Sequence, residues 1–234
     1  MGAILKRELS SYFNSAIAYV VMAVYFLFAG YFFYAICIQG NTSSLAYVYS
    51  NMFVIILFII PIITMKTFAE EKRQKTDQAL LTAPASLTEI TLGKFLGAFV
   101  LFGISCCIFL VYALVISFFT TPDWAVIICT FLGILLLGAA LIAINVFISS
   151  LTESVVIAAV SGMAVGLVIY FMNTISNNIS IDWLTAIIDK IDFVNYYTNF
   201  TYGLLNITDI VFFLSVTGLF LFFTVRVLEK RRWS

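Results

Sequence analysis

The chain has 234 residues, of which 63% are hydrophobic and 10% are charged, with 12 basic and 12 acidic side chains. Soluble domains carry about 25% charged residues, so this composition excludes an ordinary soluble domain and indicates an integral membrane protein. The formal net charge of zero gives no reason to expect nucleic acid as a partner.

The N-terminal stretch AILKRELSSYF, residues 3–13, has the pattern of a surface helix. Its apolar residues return at intervals of three to five positions, at Ile4, Leu5, Leu9, Tyr12 and Phe13. The charged residues Lys6, Arg7 and Glu8 are expected on the other side. This spacing predicts an amphipathic helix in the cytoplasmic membrane interface. A frayed basic tail is the alternative.

Six apolar stretches follow. They cover residues 17–38, 48–65, 95–119, 124–148, 155–172 and 207–225. Stretches of about 18 to 25 residues match the hydrocarbon thickness of a bilayer when they are helical. Asp209, near an end, is the one charged residue inside these limits. A charge at a helix centre costs about 2.5 to 3.5 kcal/mol on insertion, so the absence of charge from the middle of all six stretches is typical of membrane spans. We therefore predict one all-α transmembrane domain, residues 1–234, with six spans.

The positions of lysine and arginine predict the orientation. If the N-terminus is cytoplasmic, 11 of the 12 positive charges lie inside and only Lys190 lies outside. Both termini and residues 66–94 are then cytoplasmic, and residues 173–206 form an outer loop. In that loop Trp183, Ile187, Ile188 and Ile191 have amphipathic spacing. Its aromatic residues Trp183, Tyr196 and Tyr197 suit the headgroup region as well as any ligand site.

The residues that usually carry catalysis are missing. The chain has no histidine, and its four cysteines all lie in predicted spans, where they act as small apolar residues. No phosphate-binding P-loop is present, since Gly93-Lys94 is followed by Phe95 and lacks the earlier glycine. We therefore expect neither an enzyme nor a metal or cofactor site in this chain.

The cytoplasmic segment, residues 66–94, concentrates the charge. Residues 68–95 hold 8 of the 24 charged side chains. Residues 68–81 read as a helix continuing from the second span, with Glu71–Lys75 and Glu70–Arg73 as pairs. Exposed pairs of this kind add little rigidity, so the charge serves solvation or contact.

The second half of the segment has its own start and stop signals. The helix is expected to stop at residues 82–84, because the residue before a proline avoids helical geometry. Ser86 and Glu89 have the spacing of a capping box, which predicts a short helix over residues 87–92 that turns at Gly93-Lys94 into the third span. The alternative is a solvated loop that only follows the positive-inside rule.

Four stretches together resemble ABC-2 type permeases, in particular the gliding-motility-associated branch of bacterial ABC permeases. These are KRELSSYFNSAIAYV, FAEEKRQKTDQALLTAPASLTEITLGKF, SSLTES and NFTYGLLNITDIVFF with VRVLEKRRW. They run nearly the full length of the chain in the family's order. The resemblance implies an exporter fold of the ABC-2, or type V, kind in a bacterial inner membrane.

The resemblance also implies partners. It implies a homo- or heterodimer of such subunits in membrane lipid, with a separate ATPase subunit that binds ATP and Mg²⁺ and docks on a coupling helix between spans two and three. Carried over residue by residue, the coupling surface is Glu70, Glu71, Arg73, Thr76, Leu81, Thr82, Pro84, Ser86, Glu89 and Ile90.

The expected function is the permease subunit of a bacterial ABC transporter. Spans without buried charge favour export of a lipidic or amphipathic substrate over an ion. The alternative is a membrane anchor or force-transmitting subunit that couples a cytoplasmic ATPase to an extracytoplasmic machine.

Overall fold

The computed structural model describes residues 2–76, 86–178 and 190–232, which form helices and no strand. In chain order the helices are α1 (Gly2–Phe13), α2 (Ala16–Phe32), α3 (Ala46–Thr64), α4 (Ala69–Arg73), α5 (Leu87–Cys106), α6 (Ile108–Ser117), α7 (Trp124–Leu151), α8 (Val155–Asn178), α9 (Phe193–Thr201) and α10 (Ile207–Arg232). A π-helical stretch, Phe33–Gln39, extends α2.

Six helical segments are long and apolar enough to cross a membrane, as predicted. They are Ala16–Gln39, Ala46–Arg73, Leu87–Ser117, Trp124–Leu151, Val155–Thr174 and Ile207–Arg232. Most of α7 is buried, and α3, α5, α8, α9 and α10 all pack against it. In contrast, α2, α8 and α10 leave most of their apolar surface open to lipid or to another subunit.

Side-chain caps fix where several helices begin. Ser15 accepts a hydrogen bond from the Ile17 N–H at the start of α2, and Asp123 accepts from the Ala125 and Val126 N–H groups at the start of α7. The first N–H groups of a helix have no partner within it, so such caps set its first turn.

The predicted capping box at Ser86 is confirmed, but the helix that it starts is not short. Ser86 accepts from the Glu89 N–H at 3.2 Å, and the Glu89 carboxylate accepts from the Ser86 N–H at 3.3 Å. The helix α5 then continues without a turn through Gly93 and Lys94 to Cys106. The predicted turn is wrong because glycine only weakens a helix, and here α1 packs against its bare face.

The predicted helix over residues 68–81 is also wrong. The helix α4 ends at Arg73, and Lys75 adopts a left-handed conformation with φ of 56°, which a continuous helix excludes. Residues 77–85, with the expected break at residues 82–84, lie outside the described residues.

The helix α9 packs into one end of the bundle. Phe200 sits against Gly133 of α7, where an added Cβ would lie 2.5 Å from the Phe200 side chain. The Tyr197 hydroxyl donates to the Tyr49 carbonyl at 3.0 Å, and Tyr197 is fully buried. The expectation of a headgroup position for Tyr197 is therefore wrong, because this residue anchors α9 inside the protein. Trp183, Ile187 and Ile188 lie outside the described residues.

Candidate functional site

The chain between α3 and α4 is held by a serine of another helix. The Ser149 hydroxyl of α7 accepts from the N–H groups of Phe68 at 3.1 Å and Ala69 at 3.2 Å, and it lies 3.3 Å from the Met65 carbonyl. Ser149 is completely buried. Ser149 therefore caps the first turn of α4 from another helix, a role that a residue just before the helix usually fills.

Lys72 adds a second tie between α4 and α7. Its ammonium group donates to the Ser150 carbonyl, near the end of α7, and its side chain is buried. Burying a lysine is unfavourable unless its donors are satisfied. The position of Lys72 therefore fixes α4 against α7 and removes this charge from the exposed surface of the segment.

Lys94 of α5 is the centre of a buried ion network. Its side chain is 1% exposed, and its Nζ lies 3.1 Å from Glu8 Oε1, 2.9 Å from Glu71 Oε1 and 2.7 Å from the Thr67 carbonyl. A lysine ammonium has three donors, and this geometry provides three acceptors. The ring of Phe68 lies 5.1 Å from the same nitrogen, within the range of a cation–π contact.

Arg7 completes the network on the side of the network that faces solvent. Its Nη2 lies 3.0 Å from Glu8 Oε1 and 3.1 Å from Glu71 Oε1. Two cations and two carboxylates therefore join α1, α4 and α5. We define Arg7, Glu8, Glu71 and Lys94 as the ion network.

The observed ion pairs correct three sequence predictions. Glu71 pairs with Arg7 and Lys94 in place of Lys75, because α4 ends before Lys75 reaches the same helix face. Glu70 pairs with Lys66 at 3.5 Å in place of Arg73. Glu8 was expected on the exposed face of α1, but it is buried against α5.

Two glycines allow α1 to reach α5. An added Cβ would lie 2.7 Å from the Ile4 side chain at Gly93 and 2.9 Å from that of Glu8 at Gly97. Gly93 and Gly97 are four residues apart, on one face of α5, in the small-xxx-small pattern that brings membrane helices into close contact. The predicted N-terminal helix is confirmed, and it packs on α5 through the face that carries Ile4 and Glu8.

Tyr12 ties the end of α1 to the second span. Its hydroxyl donates to the Ile63 carbonyl at 3.1 Å. Burial is the main cause that raises the pKa of Tyr12, so the hydroxyl keeps its proton and remains a donor. Beside it lies a cavity of about 420 Å³, lined by Arg7, Glu71, Lys94 and other residues from α1 and from the segment around α4.

The residues predicted to contact the ATPase fall into three groups. Arg73, Thr76 and Ser86 are exposed, and Glu70 and Glu89 are partly exposed. Glu71 belongs to the ion network, and Ile90 is 1% exposed and packs within the bundle. Leu81, Thr82 and Pro84 lie outside the described residues.

A comparison with protein families decides the class. Residues 38–226 match the model of the family described as ABC-2 family transporter protein. The chain belongs to this family. A search of curated proteins finds no match.

Family membership confirms the resemblance to ABC-2 type permeases and the all-α membrane fold class. As an ABC-2 protein, the chain is a multi-pass membrane protein and a permease subunit of an ABC transporter, and its part is transport rather than catalysis. Permeases of this family normally work with an ABC ATPase subunit. Among the described residues, no group of three or more histidine, cysteine or acidic side chains could hold a metal ion.

Sequence reasoning missed the residues that hold residues 66–73 of this ABC-2 permease to its other helices. Lys94 was counted as one of the cytoplasmic charges, and Ser149 only as part of a matching stretch. One signal was available for Lys94, since it stands between two glycines at small-xxx-small spacing, where another helix approaches closely. No local pattern marks Ser149, because its partners are 80 residues away in the chain.

Proposed function

We propose that this chain is the permease subunit of an ABC exporter in a bacterial inner membrane, with both termini in the cytoplasm. In this proposal two permease subunits form the membrane dimer. A separate ATPase, which binds ATP and Mg²⁺, docks on the coupling segment, residues 66–94. The observation that carries the proposal is the ion network, which joins this segment to α1 and α5 through buried contacts.

The geometry supports a rigid transfer of motion from the ATPase. The helix α5 runs without a break from the capping box at Ser86 into the membrane region, so a force on its first turn acts on the whole helix. The ion network makes α1 and α4 move with α5, and Ser149 passes the displacement of α4 to α7. Rigid-body movements of this kind are one established way to change the access of a membrane site.

The ATPase contact is tested by cysteine cross-linking in the membrane. The four native cysteines are first replaced by alanine, and Thr88→Cys or Glu89→Cys then places a thiol on the first turn of α5. We expect both variants to capture the ATPase. The matched control is Glu153→Cys, since Glu153 is exposed in the short connection between α7 and α8, on the same predicted side. Capture from Glu153→Cys alone would contradict the docking site.

The spans favour a lipidic or amphipathic substrate. Among the described residues of the six spans, charged side chains lie toward helix ends, where Lys94 is paired and Asp209 is bonded to amides. An ion pathway would need polar or charged groups near the centre of the membrane. We expect ATPase activity in proteoliposomes to rise with a lipid substrate and to be accompanied by lipid flux. Stimulation only by an extracytoplasmic protein, without flux, would contradict export and favour the force-transmitting alternative.

A further inference from the structure

A groove lies between the start of α5 and the end of α10, away from the ion network. Its polar part, of about 500 Å³, is lined by Ser86, Leu87, Thr88, Val225, Arg226, Glu229, Lys230 and Arg232. Its apolar part, of about 290 Å³, adds Thr91, Leu92, Leu221 and Phe222. Four residues, Thr88, Val225, Arg226 and Glu229, line both parts, so the groove is continuous.

The polar part has an excess of positive charge. Arg226, Lys230 and Arg232 face one carboxylate, Glu229, which leaves a net charge of +2. Glu229 is already paired with Arg226 at 2.6 Å. Among the described residues, Lys230 and Arg232 form no ion pair, so two cations at this end of α10 are free to bind an anion. The hydroxyls of Ser86 and Thr88, 3.0 Å apart, add polar groups opposite them.

The apolar part continues from this basic end along the membrane-spanning helices. Leu92 is 37% exposed and Phe222 is 51% exposed, and Leu221 and Val225 are partly buried between them. The guanidinium group of Arg226 lies 4.9 Å from the Phe222 ring, which places a cation at the junction of the two parts. The basic part thus lies at one end of an apolar trough.

We propose that this groove binds one anionic phospholipid of the cytoplasmic leaflet. The phosphate group lies with Lys230 and Arg232, and an acyl chain lies along Leu92, Leu221 and Phe222. The charge complementarity selects this occupant, because basic pockets between helices at the cytoplasmic side favour anionic headgroups and an apolar trough accommodates an acyl chain. A free phosphate would use only the polar part, and a zwitterionic lipid would leave the net charge of +2 uncompensated.

The binding test uses the full chain, purified in detergent without the ATPase. Native mass spectrometry measures how much phosphatidylglycerol or phosphatidylcholine remains bound to each chain. We expect one phosphatidylglycerol per chain, bound in preference to phosphatidylcholine. The double variant Lys230→Gln with Arg232→Gln is expected to weaken phosphatidylglycerol binding by about 30-fold, because each of the two lost cations accounts for a factor of about five.

A matched control removes the same charge elsewhere. Arg73→Gln with Lys75→Gln neutralises two exposed cations on the same predicted side and should leave binding unchanged. A second variant, Leu92→Trp, fills the apolar part with all charges intact and should also weaken binding. Because Leu92 is exposed, its replacement leaves the core in place.

Four results would overturn the proposal. The first is equal retention of both lipids, which indicates only the general lipid shell. The second is an equal loss of binding in the Arg73 and Lys75 control, because binding then depends on total charge and not on this groove. The third is full displacement by glycerol phosphate with no effect of Leu92→Trp, because the apolar trough then plays no part. The fourth is no lipid in the isolated chain together with cross-linking of Lys230→Cys to the ATPase, because the groove is then a protein contact.

Discussion

The two ends of the helix bundle bury charged groups in different ways. At one end, Lys94 lies between Glu8 and Glu71, and Arg7 completes the ion network. At the other end, Asp192 and Asp209 are 0% and 2% exposed, and neither forms an ion pair among the described residues.

Amide groups, rather than cations, bind the carboxylates at this second end. Asp192 accepts from the Asn173 side chain at 2.6 Å and from the Val194 N–H at 2.9 Å. Asp209 accepts from the side chains of Asn199 at 3.0 Å and Asn206 at 3.3 Å. These bonds connect α9 to α8 and α10.

This difference between ion pairs and hydrogen bonds to amides affects how much movement each end of the bundle tolerates. A hydrogen bond to an amide requires a short distance and a narrow range of angles, so it is lost when the groups separate by about 1 Å. The attraction between two charges falls only as the inverse of distance, by about a quarter between 3 and 4 Å. The ion network therefore holds α1, α4 and α5 together through small displacements, as the proposed coupling requires. The amide-bonded end holds α9 in one position.

The largest effect is expected for Lys94→Met. This substitution leaves Glu8 and Glu71 with less positive charge in a buried site, and breaking one partner of a buried ion pair costs about 3 to 5 kcal/mol. We expect the free energy of unfolding in detergent to fall by that amount. Adding Glu71→Gln to Lys94→Met should recover part of the loss, because one uncompensated carboxylate is removed.

Lys66→Met is the control for Lys94→Met. Lys66 is 40% exposed and pairs with Glu70 at 3.5 Å. Exposed pairs contribute about 1 kcal/mol or less, so the variant should unfold almost as the unmodified protein does. Equal losses for Lys66→Met and Lys94→Met would contradict the special role of the buried network.

The next largest effect is expected at the amide-bonded end, for Asp209→Ala. Hydrogen bonds to a charged group are worth about 1.5 to 3 kcal/mol, and this substitution removes two of them. Because Asn206 is exposed and its amide can bond to water instead, we expect the free energy of unfolding to fall by only about 2 kcal/mol, with faster hydrogen exchange in α9. Asn195→Ala, on an exposed position of α9, should change neither measurement. A loss for Asn195→Ala as large as for Asp209→Ala would show that α9 is sensitive to any change.

A smaller effect is expected for Ser149→Ala, which separates the tie to α7 from the ion network. The N–H groups of Phe68 and Ala69 lose their acceptor, and a buried donor without a partner costs about 1 to 3 kcal/mol. We expect a loss near 1 to 2 kcal/mol and faster hydrogen exchange at these two amides.

Ser161→Ala is the matched control for Ser149→Ala, since among the described residues the Ser161 hydroxyl bonds only to carbonyls of its own helix. It should leave the exchange of the Phe68 and Ala69 amides unchanged. If Ser149→Ala also left both amides protected, the cap across the tertiary structure would be refuted.

The comparison of the two ends also shows what the sequence could predict. The spans followed from their apolar length, and the caps at Ser86 and Glu89 from their spacing, because both are properties of neighbouring residues. The prediction of a helix through Lys75 was wrong, since α4 ends at Arg73. Glu71 pairs instead with Arg7 and Lys94, which are 64 and 23 residues distant in the chain, and no local pairing rule indicates these contacts.

The burial of the charged residues could not be predicted either, because it also depends on contacts between distant parts of the chain. Glu8 and Lys94 look like other charged residues near a membrane surface, and only the packing of α1 on α5 removes them from solvent. Asp192 and Asp209 precede or begin helices, where an acidic residue is common on local grounds. Asn206 is three residues from Asp209, but Asn173 and Asn199 are 19 and 10 residues from the aspartates that they bond, and no spacing in the sequence indicates those two contacts.

The smallest effect is expected for Ser86→Ala, which tests an exposed contact beside the buried network. The hydroxyl caps a single N–H group of α5 in contact with solvent, and loss of an N-terminal cap costs about 1 kcal/mol. The loss should be confined to the first turn, as faster hydrogen exchange at Glu89, while the ion network eight residues further along α5 stays intact. Thr88→Ala removes a neighbouring hydroxyl but keeps the cap, so exchange at Glu89 should not change. A loss of several kcal/mol for Ser86→Ala would contradict this expectation, because it would mean that the cap and the ion network unfold as one unit rather than as separate contacts.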